Sequence, residues 1–383
     1  MISDLWEKYH RKEFIKSIDA KISLWSDVVI IQSPVSILVH IINNIKRIFL
    51  LLKGHFKLKK INSNTLLFTP VIPFHYRLWN KYNIFFKIDY YLLRYELNKF
   101  INKNFGKRNT ILWVYSPELK KLAEKFKCNF TVYDQYDLYN YDLNGNENKK
   151  ITDINNKLLQ YCDLVFCTTK FIYDFSIKIN INSFYITNGN NYEFLTKNNH
   201  EISLNKLTEK QIVGYVGGIR NWLDFELLNY IIDKINYVNF VFIGKIYGGS
   251  YTDLENILKK KNVFWYDYIP QEKLGSYMKS FSVGLIPFKM NSFFKGVFPN
   301  KFYEYMALEI PIVSTFLPEL SKYEKIIGLS KSNEEFKENV ISALNGDFDK
   351  FKPIYTQEAK LNTWEKKAAE WNKIIKNHIQ KET

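Results

Sequence analysis

The sequence predicts an α/β protein made of two units, and three observations carry that prediction. Short apolar runs bounded by turn residues alternate with longer segments of helical periodicity along the chain, the pattern that parallel sheets with crossover helices require. The alternation is interrupted by a polar stretch, residues 188–211 with TNGNNYEF and TKNNHEISLNK, which lacks periodicity and reads as a link between units. The length of 383 residues suits two domains, each able to bury its own core.

In the first unit, residues 1–190, strands are expected at 28–32, 65–69, 111–115, 130–133, 164–168 and 183–186. Helices fall between them at 84–102, 118–126 and 153–161. Residues 191–211 are expected as linker. The second unit, residues 212–355, restarts the alternation with strands at 212–216, 238–243, 263–265, 283–287 and 312–314. Its helices are expected at 223–234, 252–260, 271–280, 300–308 and 333–345. A last helix, within residues 356–383, aligns Leu361, Trp364, Ala368, Trp371 and Ile375 on one stripe. A stripe with two tryptophans needs a surface to bury it.

Composition narrows the function classes. With 30 Phe, 27 Tyr and 8 Trp the chain is not a solvated, disordered one, and 15 Gly with 10 Pro exclude collagen-like or linker-like designs. Cys128, Cys162 and Cys167 form neither metal-type pairs nor a disulfide framework, which fits a reducing compartment. The formal net charge of +15 attracts anions, whether nucleic acid, an anionic membrane or a phosphorylated substrate. Lys is in excess together with Asn, Ile, Tyr and Phe, as coding bias produces, so charge alone selects none of the three. Residues 1–19 mix acids, bases and aromatics, with no apolar core of a signal peptide.

The strongest membrane candidate is SILVHIINNIKRIFLLL, residues 36–52, but Asn43, Asn44, Lys46 and Arg47 interrupt it. It runs into Lys53, His55, Lys57, Lys59 and Lys60. The segment from Ile37 to Lys60 therefore reads either as an interfacial helix on an anionic membrane or as a core helix followed by a solvated basic loop.

Two constellations carry chemistry. In IVGYVGGIRNWLD, residues 212–224, an apolar strand runs into Gly217 and Gly218 and then into a helix. Glycine there lets backbone N–H groups approach an anion, although a plain tight turn has the same appearance. It matches neither the P-loop nor the dinucleotide fingerprint. In GVFPNKFYEYMALEIPIVST, residues 296–315, Pro299 marks a loop, Asn300 is placed to cap, and a short helix sets Lys301 and Glu304 on one face at i, i+3. A lysine at that place suits a diphosphate, and a glutamate one turn on accepts two hydrogen bonds from a ribose diol. A solvated ion pair is the plainer reading of such spacing.

Residues 212–317 resemble the GT-B glycosyltransferases, in the group that includes transferases of bacterial capsule, teichuronic acid and lipopolysaccharide assembly. The matching positions are Gly214, Tyr215 and Gly217, then GLIP at 284–287, then Pro299, Lys301, Glu304, Tyr305 and Ala307, then PIVS at 311–314, all in the family's order. The chain departs from the pattern at Ser282, where the family has Asp, and at Glu309, where it has Gly. The resemblance implies two Rossmann-like domains facing a central cleft, with a C-terminal helix crossing back to the first domain. It implies donor binding by Lys301 on the diphosphate and Glu304 on the ribose. The backbone at Tyr268 and Ile269 would lie beside the base, and Arg220 would make a second phosphate contact. Metal and cofactor are expected to be absent.

The first unit matches more loosely, through ILWVYSP at 111–117, FTVYDQYD at 130–137, residues 164–170 and residues 187–189. Ligands of open α/β sheets gather at the carboxyl ends of strands, so Asp137 and Asp134 are the candidates for a base that takes the acceptor's proton. The glycine-rich loop after the family's first strand is not visible. His10, His40, His55, His75, His200 and His378 show no metal-ligand spacing. The D-x-D at Asp347 and Asp349 follows a helix and reads as a loop.

The function implied is transfer of a sugar from a nucleotide-diphosphate donor to a hydroxyl of a cell-surface glycan or lipid-linked acceptor, in the cytoplasm or on the inner membrane face. Two alternatives share parts of the pattern: a nucleotide-sugar isomerase of the same fold, and a non-enzymatic basic protein on membrane or nucleic acid. No nucleic-acid-binding motif supports the latter.

Overall fold

Val28–Ile31 (β1), Val35–Ser36 (β2), Leu58–Lys60 (β3), Thr65–Phe68 (β4) and Val71–Ile72 (β5) form the first small sheets of the computed structural model. β1 pairs with β4 in parallel, β3 pairs with β4 antiparallel, and β2 pairs with β5 in parallel. The structure describes residues 16–17, 28–31, 35–36, 58–60, 65–68, 71–74, 78–79, 81–104, 110–126, 128–197, 204, 207, 209–247 and 250–382. Most of the apolar–basic segment from Ile37 to Lys60 lies outside these residues, as do His10, His40, His55, His75 and His200. Lys59 and Lys60 are described, and they stand in a strand rather than a basic loop.

A long helix, Asn83–Asn104 (α1), follows. The four strands Ile111–Val114 (β6), Phe130–Gln135 (β7), Leu164–Cys167 (β8) and Ser183–Tyr185 (β9) then form a parallel sheet in sequential order. β7 and β8 are buried at every residue, which is why β8 reads as an apolar run without alternation, while β7 buries Thr131, Asp134 and Gln135 as well. The intervening helices are Lys120–Lys125 (α2), Lys149–Tyr161 (α3) and Lys170–Ser176 (α4). Asn148 caps α3, its side chain accepting from the Ile151 N–H at 3.2 Å.

Contacts divide the chain into one unit of residues 1–140, 147–186 and 368–383, and another of 141–146 and 187–367. The second begins with Tyr192–Lys197 (α5), inside the stretch expected to be a structureless linker. Leu195 is buried there and Tyr192 packs against the same core, in a helix too short to show periodicity.

The second unit's sheet consists of Ile212–Val216 (β10), Asn239–Ile243 (β11), Val263–Tyr266 (β12), Val283–Ile286 (β13), Ile312–Thr315 (β14) and Gly328–Ser330 (β15). All are parallel, in the order β12-β11-β10-β13-β14-β15. This is the doubly wound arrangement, and its strand order reverses between β10 and β13. The helices are Phe225–Lys234 (α6), Ser250–Leu258 (α7), Gln271–Met278 (α8), Lys301–Ala307 (α9), Asn333–Leu344 (α10) and Lys352–Leu361 (α11). β15 has no counterpart in the sequence reading, because three residues between turns carry no pattern.

At the switch point Gly214 of β10 pairs with Gly284 of β13. A Cβ on Gly284 would meet the Tyr305 ring at 2.8 Å, and one on Gly214 would meet the Phe281 ring at 2.2 Å. The two glycines thus admit aromatic rings flat against the sheet. The Tyr305 hydroxyl reaches the Val216 N–H at 3.2 Å and the carbonyls of Leu285 and Gly214 at 3.3 and 3.4 Å, fixing α9 against both strands.

The single last helix expected from the sequence is two, α11 and Trp364–Glu382 (α12). Asn190 causes the break: its N–H donates to Asn362 O at 2.9 Å, and its carbonyl accepts from Trp364 N–H at 2.9 Å. Leu361, expected on the buried stripe, is 52% exposed. From Ala368 on, the chain belongs to the first unit, where the Trp371 ring stacks on Phe166 and Trp113 at 4.1 and 5.1 Å.

Candidate functional site

The site begins where β10 ends. Val216 leads into Gly217, whose φ of +138° only glycine adopts without strain. Gly244, after β11, has φ +146°, and a Cβ on it would lie 2.0 Å from Gly217 O. The two turns therefore interlock, with Gly217 N–H donating to Ile243 O at 2.9 Å and Ile219 N–H to Lys245 O at 2.8 Å. Between these two, the Gly218 N–H makes no hydrogen bond among the described residues, and an anion there has a ready backbone donor.

Lys301, in the first turn of α9, reaches this glycine turn. A Cβ on Gly217 would stand 3.4 Å from Lys301 Nζ. The ammonium lies 5.0 Å from the Tyr215 ring centroid and 4.7 Å from that of Phe288. Tyr215 belongs to β10 and Phe288 follows β13, so the cation sits at the switch point, where crevices of such sheets bind ligands. Burial lowers its pKa to about 8, with Glu304 opposing that shift. Glu304 is raised for the same reason, Lys301 opposing. No hydrogen bond or ion pair within 4.0 Å engages either side chain among the described residues. The pair is therefore neither the solvated bridge of the plainer reading nor a closed internal one.

Arg220 lies beside the same turn, its guanidinium 4.1 Å from the Tyr247 ring and 5.0 Å from that of Trp222. Its Nε is buried without a hydrogen-bond partner, as is Asn300 Oδ1 at the start of α9. Asn300 does not cap α9 through its side chain, contrary to expectation, since its φ and ψ of −55° and −38° are already helical. Pro299 is buried, and the carbonyl before it accepts from Asn188 Nδ2 at 3.0 Å. Beyond β12, Tyr268 is 61% exposed, Ile269 is half-buried, and Lys245 Nζ stands 5.2 Å from the Tyr268 ring.

In the first unit, Asp134 is the fifth residue of β7 and wholly buried. Asp137 lies two residues past that strand and is half-buried. Nearby, Thr168 Oγ1 donates to Tyr136 O at 3.0 Å and the Tyr139 hydroxyl to Tyr115 O. The D-x-D residue Asp349 opens a short 3-10 turn. Among the described residues no group of three or more His, Cys, Asp or Glu is placed to hold a metal.

Sequence reasoning gave no role to Phe288, Trp222 and Tyr247, the rings around the two cations. The only signal for Tyr247 was its place just after an expected strand, and its contact with Arg220 depends on β11 lying beside β10.

These features define an α/β fold with two cations, Lys301 and Arg220, and an unbonded Gly218 N–H gathered at its switch point. Residues 210–345 match the family "Glycosyl transferases group 1". Over 227 residues, 56% of this chain and 57% of the relative, the sequence is 24% identical to TuaH of Bacillus subtilis (strain 168), named provisionally as a teichuronic acid biosynthesis glycosyltransferase. The aligned region thus spans little more than half the length of that relative. Among solved structures, the trehalose-6-phosphate enzyme of E. coli bound with UDP-2-fluoro glucose superposes with a TM-score of 0.71 at 11% identity, over 98% of each chain. Sucrose-phosphate synthase of Thermosynechococcus elongatus gives 0.70 at 11% identity over 97% of this chain and 94% of that one. TarM of S. aureus gives 0.57 at 16% identity, over 75% of this chain and 59% of that one. The chain shares the fold of these solved structures, and its residues 210–345 are similar to the group 1 glycosyl transferases.

Proposed function

We propose that the protein transfers a sugar from a nucleoside-diphosphate donor to a hydroxyl of a cell-surface glycan or lipid-linked acceptor. The observation that carries this reading is the desolvated ammonium of Lys301 beside the Gly217–Gly218 turn at the switch point. A diphosphate supplies the hydrogen-bonded anion that Glu304, which acts on Lys301 only through its field, does not, and Arg220 Nε and the Gly218 N–H add donors to it. Glu304, one turn further, accepts from the ribose diol. Tyr268 and Ile269 flank the base, and Pro299 sets the loop from which α9 starts.

When the glycosidic bond to the diphosphate breaks, negative charge grows on the leaving oxygen. Lys301 and Arg220 stabilise it from fixed positions in a partly dehydrated site, with no metal or cofactor in the scheme. The acceptor hydroxyl loses a proton as the new bond forms, and Asp137 takes it in an inverting reaction, ahead of Asp134. The name of TuaH and the UDP-sugar in the E. coli structure support a nucleotide sugar as donor and a cell-wall glycan as acceptor. Such an acceptor puts the enzyme in the cytoplasm, at the inner face of the membrane.

The test is thermal stabilisation by UDP, GDP, CDP and ADP, since a ligand of the folded state raises the melting temperature. One nucleotide should stabilise the wild type and fail to stabilise Glu304→Ala. No shift with any of the four overturns the donor site.

A further inference from the structure

Helix α1 has two apolar faces, and among the described residues only one of them is covered. Phe86, Leu93 and Leu97 are buried on the core side. On the opposite side Ile84, Ile88, Tyr91, Leu92 and Tyr95, at i, i+4, i+7, i+8 and i+11, form a continuous stripe along the helix. All five are exposed, Tyr91 at 73%, Tyr95 at 62% and Ile84 at 59%. Isolated exposed apolar residues need no explanation, but an aligned stripe of large ones marks a binding surface.

The charges beside the stripe indicate what binds there. Lys81, Lys87, Arg94 and Lys99 are exposed, with Lys81 Nζ 5.1 Å from the Tyr82 ring and Lys99 Nζ 5.9 Å from that of Tyr95. Asp89 is turned into the core, where it accepts from Trp79 Nε1 at 2.7 Å and Phe74 N–H at 3.0 Å. Apolar side chains and tyrosines along one line, with basic side chains beside them, match the boundary between acyl chains and anionic headgroups. A protein partner would need acidic groups around an apolar groove. A bilayer supplies both chemistries at once along the roughly 33 Å of a 22-residue helix. No helix among the described residues is long and apolar enough to cross a membrane.

We infer that the outer face of α1, through Ile84, Ile88, Tyr91, Leu92 and Tyr95 with Lys87 and Arg94, is the surface by which this chain docks on an anionic lipid bilayer. The inference is independent of the donor site, which lies in the other unit.

Flotation of the full chain with phosphatidylcholine vesicles, and with vesicles holding a third phosphatidylglycerol, tests it. The wild type should float with the anionic vesicles and at least tenfold less with the neutral ones. Tyr91→Ser/Tyr95→Ser and, separately, Lys87→Glu/Arg94→Glu should each reduce anionic binding about tenfold. All four side chains are exposed, so far-ultraviolet circular dichroism and the nucleotide-induced melting shift should stay unchanged. Absence of flotation, or flotation that neither double variant weakens, overturns the inference. So does conversion of a dimer to a monomer by Tyr91→Ser/Tyr95→Ser without loss of vesicle binding, which would assign the stripe to a second copy of the chain.

Discussion

The ammonium of Lys301 stands 5.0 Å from the ring of Tyr215, a helix cation over a residue of the central strand β10. The ring face offers it weak attraction but no hydrogen bond, and Glu304 acts on it through its field without an ion pair among the described residues. Lys301→Met keeps the length and packing and removes the charge. We expect it to weaken binding of the stabilising nucleoside diphosphate by about 10- to 100-fold, the loss of one charge-assisted contact. Isothermal titration of wild type and variant measures this directly, and equal affinities would remove Lys301 from the diphosphate.

The same cation sets a pH dependence. Burial lowers the Lys301 pKa from 10.5 to about 8 in the free protein. A diphosphate binds the protonated form, so affinity should be full below pH 8 and fall by up to about tenfold per pH unit above it. The unliganded protein responds in the opposite direction. Between pH 8 and 10.5 the unfolded chain holds more protons at this residue than the folded one, so Lys301 makes the free protein more stable as pH rises. Titrations from pH 6.5 to 9.5 should show the break in the wild type and a flat profile near pH 8 in Lys301→Met.

Replacing Glu304 tests whether nucleoside and phosphate recognition are separate. If its carboxylate accepts from the ribose diol, Glu304→Gln should weaken the nucleoside diphosphate about tenfold or more. It should leave competition by inorganic pyrophosphate unchanged or stronger, because a negative charge beside Lys301 is gone. Equal losses for both ligands would show that Glu304 acts only through Lys301.

Gly244 tests the backbone frame of the site. An alanine there meets Gly217 O at 2.0 Å and must hold a φ of +146°. Gly244→Ala should cost about 2 kcal/mol or more in chemical denaturation, the two turns being forced apart. Nucleotide binding should be lost with it, while Gly218→Ala, whose Cβ would meet Tyr247 only at 3.4 Å, should fold normally.

How much of this was legible depended on the kind of signal. The core strands of both sheets were readable because burial on both faces turns them into apolar runs. Lys301 and Glu304 were readable because one short helix holds both. Arg220's setting was not, since Tyr247 joins Trp222 around it only through the pairing of β10 with β11. The loop at residues 141–146 reads as part of the first unit, yet it packs with the second through Asn291 Nδ2 donating to Leu143 O at 3.0 Å. A hydrogen bond between residues 148 positions apart leaves no local trace. Asp134 stands as the second candidate behind Asp137 because β7 is expected to end at Tyr133, and it runs on to Gln135.

That extension gives the two aspartates different expected phenotypes. Asp134 is wholly enclosed in the sheet beside Phe166 and Cys167 of β8, so Asp134→Asn changes a buried polar group among packed neighbours. It should lower the melting temperature by several degrees and reduce activity through the loss of folded protein. Asp137 is half-buried, two residues past the end of the strand. Asp137→Asn should leave the melting temperature and nucleotide affinity in place. It should lower kcat by about 10²- to 10⁴-fold, the share of a general base. Turnover of Asp137→Asn within threefold of wild type would remove it as the base, and a retaining outcome by proton NMR of the product would remove the need for one.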